Sequence, residues 1–320
     1  MNIVYTGEMD PRAFKDVLGA TIIDILENDP DAIYLDADLM SCIGTKAFAK
    51  AHPDRAIQCG VAEANMIGVA SGLAASGFKP IAHTFGTFAS RRCFDQAFLS
   101  AGYAGNDITI IGSDPGVCAA FNGGTHMPFE DMALYRTLPT ATVLDITDTV
   151  MLENVLRQCV ERPGVKYLRV GRKHAAKVYE EGSDLSIGKA VTLREGEDLT
   201  IVACGIMVGE AMRAAQMLER ENIRAAVLDM FTVKPLDVAT LERYAQRTGA
   251  IVTAENHNRV GGLYAAVAEA LMRACLVPAE YVAVEDAFGE VGPQDYLQER
   301  FGLTAQHIVR QARRVLERKL

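Results

Sequence analysis

The feature that most restricts how this 320-residue chain can fold is a series of short, unbroken apolar runs separated by stretches of helical spacing. AIYLDADL (32–39), KPIAHTF (79–85), DITIIGS (107–113) and VKYLRVG (165–171) read as strands. Between them lie AFKDVLGATIIDILEN (13–28), Glu63 to Ser76, RRCFDQAFLSAGYA (91–104) and VMLENVLRQCVE (150–161), where apolar residues recur at helical intervals. A strand buried on both faces carries no polar alternation. Such strands alternating with helices predict a parallel sheet covered on both sides.

Residues 173–199 turn polar and mark a boundary, after which the pattern starts again. TIVACG, AAVLDMF, AIVTAEN and VAVED read as strands, with helices at 207–221, 236–247, 261–275 and 304–319. The fold class expected is therefore α/β, with two doubly wound, mainly parallel units at 1–180 and 185–320. A net charge of −9 argues against non-specific binding to nucleic acid or anionic membranes, and leaves room for a small anionic substrate held by a few arginines. The N-terminus lacks the order of a signal peptide, and no run reaches the roughly 18 apolar residues of a membrane span. Seven scattered cysteines without a CxxC pair read as reduced thiols, so the cytoplasm is the expected compartment.

Four segments could carry chemistry. GVAEANMIGVASGLAASGFKP (60–80) is almost wholly small and apolar yet holds Glu63 at the start of its helix, which the pattern predicts to be buried on all sides. Either Glu63 is partly solvated and favoured by the helix dipole, or it is buried and must be paired or protonated. A protonated carboxyl there can donate a hydrogen bond to a ligand nitrogen. In HTFGTFASRRCFDQ (83–96), Phe85 and Phe88 are core residues or an aromatic wall for a flat heterocycle, and Arg91 and Arg92 are solvated or near an anion. GSDPGVCAAFNGGTHMPFED (112–131) leaves a buried strand as a glycine-rich loop with Asp114, Asn122 and His126, at the kind of strand end where α/β proteins bind ligands. His126 there suits a proton carrier or substrate contact. YLRVGR (167–172) places Arg169 and Arg172 at another strand end, solvated or holding a phosphate or sulfonate.

Taken in order, GVAEANMIGVASGLA, HTFGTFASRRCFDQ, GGTHMPFEDMALYRTLP, ENHNRVGGLYAAVAEAL and VEDAFGEVG resemble the C-terminal half of transketolase, from about Asp36 onward. The resemblance is to the split transketolases, in which this half is a separate polypeptide made of a pyrimidine-binding domain and a C-terminal domain. It implies that Glu63 hydrogen-bonds N1′ of the aminopyrimidine of thiamine diphosphate, driving the imino form that deprotonates the thiazolium. It implies that Phe85 and Phe88 pack around that ring, and that Asp38 lies near the cofactor and the subunit contact. Arg91 or Arg92 would shape the site, His126 would assist proton transfers at the substrate's C1 end, and Arg172, with Arg169 as a second candidate, would bind the distal phosphate.

The sequence departs from the family at Asp114, where a histidine usually faces substrate, and at Asn122, where an aspartate usually reads the acceptor C2 hydroxyl; Phe121 also stands where an acidic residue is common. An anion at 114 would oppose a phosphate, and Asn122 can donate where aspartate only accepts. These departures suggest a branched, deoxy or sulfonated sugar. The GDG segment that holds Mg²⁺ and the diphosphate in these enzymes is absent. The resemblance therefore implies a partner, an N-terminal subunit carrying that half of the site, in an α2β2 heterotetramer with the cofactor between subunits. A β subunit of a 2-oxo acid dehydrogenase, a relative of 1-deoxyxylulose-5-phosphate synthase, and a non-catalytic scaffold subunit are the competing readings. His257 could line a subunit interface, or be structural.

Overall fold

The computed structural model describes residues 3–319. In the first half, strands β1 (Ala32–Asp36), β2 (Ala56–Gln58), β3 (Lys79–Phe85), β4 (Ile108–Ser113), β5 (Ala141–Asp145) and β6 (Val165–Val170) build a sheet of order β5-β6-β4-β3-β1-β2, all parallel. Strands β1, β4, β5 and β6 are buried at every position, which is why they read as continuous apolar runs. The second half forms a five-stranded sheet from β7 (Val191–Arg194), β8 (Leu199–Ala203), β9 (Ala225–Asp229), β11 (Ile251–Asn258) and β12 (Ala279–Val284), ordered β12-β11-β8-β9-β7. Only β7 runs antiparallel in it.

The two units interlock. Strand β10 (Thr232–Lys234), from the second half, adds antiparallel to β5 and makes the first sheet seven-stranded. Lys234 Nζ then donates to the carbonyls of Arg136 and Leu138 at 2.9 and 2.5 Å. A buried carboxylate, Asp229 on β9, accepts from the hydroxyls of Thr147 and Tyr179 at 2.7 and 2.8 Å.

Two helical expectations need correction. Helix Glu63–Ala75 buries Met66, Ile67, Ala70 and Ser71 but exposes Asn65, Gly68, Val69 and Gly72, so it is not buried all round. Its open side is built of small residues, which a pattern of apolar identity alone counts as core. The segment expected as one helix at 91–104 starts earlier and is wound mostly as π-helix, Phe88–Arg92 and Ala97–Tyr103 flanking a short α-turn. The π-wound turn carries Phe88, Arg91 and Arg92 just past the end of β3, and π-turns recur at functional sites.

Candidate active site

The candidate residues come together because parallel strands end at one edge of the sheet. Register makes this explicit: Asp36 is level with His83, Phe85 with Ser113, and Ser113 with Val170. Glu63 follows β2, Phe85 ends β3, Asp114 follows β4, and Arg172 lies two residues past β6.

Glu63 opens its helix with a side chain only 2% exposed. It is paired: Arg92 Nη1 lies 3.3 Å from Glu63 Oε2, and the Arg92 guanidinium carbon sits 4.8 Å from the centre of the Phe88 ring. The helix N-terminus adds its partial positive charge. The carboxylate in the small-residue segment is thus kept by an ion pair, and its partner is itself half-exposed at the rim. Arg91 points the other way, with Nε 3.0 Å from Glu130 Oε1 and Nη2 donating to the Thr125 carbonyl at 3.2 Å. Of the two arginines, Arg92 reaches Glu63, while Arg91 ties this segment to the His126 loop.

Phe85, Phe88 and His126 form an aromatic cluster. The ring centres are 6.3 Å apart for Phe85–Phe88, 5.7 Å for Phe85–His126 and 5.2 Å for Phe88–His126, the imidazole standing nearly perpendicular to both. His126 is half-buried, with Nδ1 3.0 Å from Thr125 Oγ1. Beside the cluster opens a recess of about 360 Å³ lined by Thr87, Phe88, Arg91, Arg92 and Thr125. The buried hydroxyl of Thr87 has no hydrogen-bond partner among the described residues.

Asp114 lies below the His126 loop with φ +56° and is 1% exposed. Its Oδ2 is 3.2 Å from Arg172 Nη2, while neither carboxylate oxygen accepts an aligned hydrogen bond among the described residues. Burial raises the Asp114 carboxyl to about 6, against the lowering effect of Arg172, His83 and Lys173. The Arg172 guanidinium carbon is 5.9 Å from the Phe85 ring centre. An Asp–Arg pair of nearly zero net charge therefore borders the aromatic cluster.

The other candidates fall elsewhere. Arg169 is fully buried, its Nε donating to Asp131 Oδ2, Nη1 to Asp145 Oδ2 and Nη2 to the Asn256 carbonyl, each at 2.8 Å. With every arm engaged it offers no face to a substrate anion, which corrects that expectation. Asp38 is exposed with φ +64°, and its amide donates to Gln58 Oε1 at 2.8 Å; it borders a separate recess of about 470 Å³ with Ser41, Lys46 and Lys50. Asn122 and Phe121 are exposed at the outer end of the loop. His257 is wholly buried and structural, its imidazole held down to about 4 by burial.

Sequence reasoning missed three polar residues. Asp36, the buried member of DAD, holds His83 Nδ1 at 2.9 Å through Oδ2, and His83 Nε2 lies 3.2 Å from Ser113 Oγ. Asn256 reaches across from the second unit to the loop after Asp114. A charged or imidazole side chain at the last turn of an otherwise apolar strand was the available signal for Asp36 and His83.

These residues fit the aminopyrimidine part of thiamine diphosphate. A carboxylate with a half-exposed companion, an orphaned hydroxyl and aromatic rings beside an open recess suit a flat, nitrogen-bearing ring.

The sequence matches the family model "Transketolase, pyrimidine binding domain" over residues 10–177 and "Transketolase, C-terminal domain" over residues 188–308. It is 46% identical over 319 residues to the 6-deoxy-6-sulfo-D-fructose transketolase subunit SqwH of Clostridium sp. (strain MSTE9), covering 100% of this chain and 99% of that protein. It is 33% identical to an apulose-4-phosphate transketolase subunit of Phocaeicola vulgatus, covering 91% of this chain and 94% of that one. A solved structure described as a split gene transketolase, inactive beta4 tetramer, superposes with a TM-score of 0.88 at 37% identity, over 96% of this chain and 99% of the other. The chain belongs to the transketolase family, a family dependent on thiamine diphosphate, and it corresponds over its length to the separate C-terminal subunits of split transketolases.

Proposed function

We propose that this subunit transfers a two-carbon ketol unit between sugars whose far end carries a single negative charge, a sulfonate above all. The observation that carries the reading is Asp114, buried against Arg172 at 3.2 Å beside the aromatic cluster. A free arginine favours a dianionic phosphate over a monoanion, whereas a pair of nearly zero net charge gives the second charge little gain and leaves its larger desolvation uncompensated. The sulfo-sugar name of the Clostridium relative, similar over the whole chain, supports the same class.

When bound, thiamine diphosphate supplies the nucleophilic carbon that takes the two-carbon unit. Glu63 would exchange a hydrogen bond or proton with the pyrimidine N1′, Arg92 turning outward as it does so. Phe85 and Phe88 would hold the ring and exclude water. His126 would hold and move a proton at the ketose C1 hydroxyl, Asn122 would donate to a sugar hydroxyl, and Arg172 would orient the anionic end. The diphosphate and Mg²⁺ fall to an N-terminal partner subunit, which brings the GDG segment missing here, in an α2β2 assembly with the cofactor shared. The similar solved structure, a tetramer of one kind of subunit described as inactive, supports that division of labour. The scattered, unpaired cysteines support a cytoplasmic setting.

Steady-state kinetics of the two-subunit enzyme with paired ketoses that differ only in a terminal sulfonate or phosphate would test this. The sulfonated sugar should show the higher kcat/KM; a preference for phosphate would overturn the assignment.

A further inference from the structure

We infer that Asn256, contributed by the C-terminal domain, is a positioning residue for the substrate loop: its carboxamide fixes residues 115–118, and through them Asp114 and the approach to His126. Asn256 is 1% exposed at the carboxyl end of β11. Its Oδ1 accepts from the Val117 amide at 3.0 Å and its Nδ2 donates to the Pro115 carbonyl at 2.9 Å. The pairing admits one orientation of the amide, since a flip would set oxygen against oxygen and N–H against N–H. The Val117 amide thereby gains its partner, while the Pro115 carbonyl accepts a second bond beside that from the Cys118 amide at 3.1 Å, in the 3₁₀ turn that opens at Gly116.

The loop is shaped around this clamp. Gly116, between the two gripped residues, has φ +50°, and a Cβ there would lie 2.2 Å from Asn256 Oδ1. Asp114, two residues before it, also has positive φ, so its carboxylate depends on the course of the chain on both sides. The clamp is itself anchored, because the Asn256 carbonyl accepts from Arg169 Nη2 at 2.8 Å while Arg169 is tied to Asp131 and Asp145. The buried arginine at the end of β6 thus acts behind the loop, and the C-terminal domain acquires a role in the site.

The functional half of the inference rests on the transketolase reading of the site; the clamp does not. In the reconstituted two-subunit enzyme, Asn256→Ala should raise KM for the anionic sugar about tenfold, the scale of one buried hydrogen bond lost, with kcat and thiamine diphosphate affinity within about twofold of wild type. Amide exchange in 114–123 should quicken while β4 and β8 keep their protection. Gly116→Ala, which forces the clamp apart from the other side, should reproduce both effects. Tyr5→Phe, which removes a remote interdomain bond to the Gly209 carbonyl (3.0 Å), should leave KM unchanged. An unchanged KM with faster loop exchange, or an equal rise in Tyr5→Phe, would overturn the positioning role. If the wild type transfers no ketol unit, the functional reading fails, and unchanged loop exchange in Asn256→Ala would overturn the clamp independently.

Discussion

Replacing Asp114 with asparagine removes one charge at nearly constant shape and should change both stability and selectivity. Burial holds this carboxyl at about 6 in place of its ordinary 3.8, so the ionised form is about 3 kcal/mol less favourable in the folded protein than in the unfolded chain. The folded state binds the proton more tightly. Its contribution is therefore fully present below about pH 4 and is lost as pH rises through about 6. Asp114→Asn should match wild type near pH 4 and exceed it by up to about 3 kcal/mol at pH 8, read as denaturant midpoints at the two pH values. For selectivity, the second charge of a phosphate about 4 Å from Arg172 gains about 4 kcal/mol at an effective dielectric of about 20, and Asp114 at about 5 Å takes back about 3. The Arg172 side chain is 28% exposed, and solvent screening cuts both figures by about half, to about 2 kcal/mol for the attraction and about 1.5 kcal/mol for the repulsion. The variant should then move the phosphate-to-sulfonate ratio of kcat/KM about tenfold toward phosphate. An unchanged ratio, or a variant less stable than wild type at pH 8, would refute the reasoning.

Three further outcomes are expected. Glu63→Ala in the assembled enzyme should lower kcat by about 10²–10⁴, the range of a positioned acid–base group, with quaternary assembly unchanged by light scattering. Arg169→Met should cost about 3–5 kcal/mol in chemical unfolding by stranding Asp131 and Asp145, whereas Arg172→Met, which strands Asp114 alone and leaves it free to take up a proton, should cost less and raise KM for the anionic sugar about 10–100-fold. Asp229→Asn should raise stability at pH 8 by up to about 4 kcal/mol and have no effect near pH 4, because burial holds the Asp229 carboxyl at about 7 and its benefit to the fold is lost as pH rises through that value; equal curves at both pH values would contradict it.

Strands such as β4 and β6 were legible because burial on both faces leaves an apolar run with no alternation, and Glu63 stood out because an isolated carboxylate in a small-residue helix demands a partner. The partner's identity was not legible: Arg91 and Arg92 are adjacent in sequence, and the π-winding decides which one turns toward Glu63. Arg169 misled because strand-end position says nothing of what neighbouring elements bring over it; Asp145 and the Asn256 carbonyl arrive from β5 and β11. Asn256 and β10 escaped notice for the same reason, since three-residue strands and lone amides acquire meaning only when two units dock. The open face of helix Glu63–Ala75 was hidden by its composition, as glycine and alanine score as core wherever they lie.

The most direct measurement is ketol transfer from a sulfonated ketose to an aldose, with thiamine diphosphate and Mg²⁺, using this chain, a GDG-bearing N-terminal subunit, and the two together. The account predicts transfer in the mixture, at least about tenfold faster than with the corresponding phosphorylated ketose, and none with either subunit by itself. Transfer by this chain unaided, or a mixture that works only on phosphorylated sugars, would contradict it.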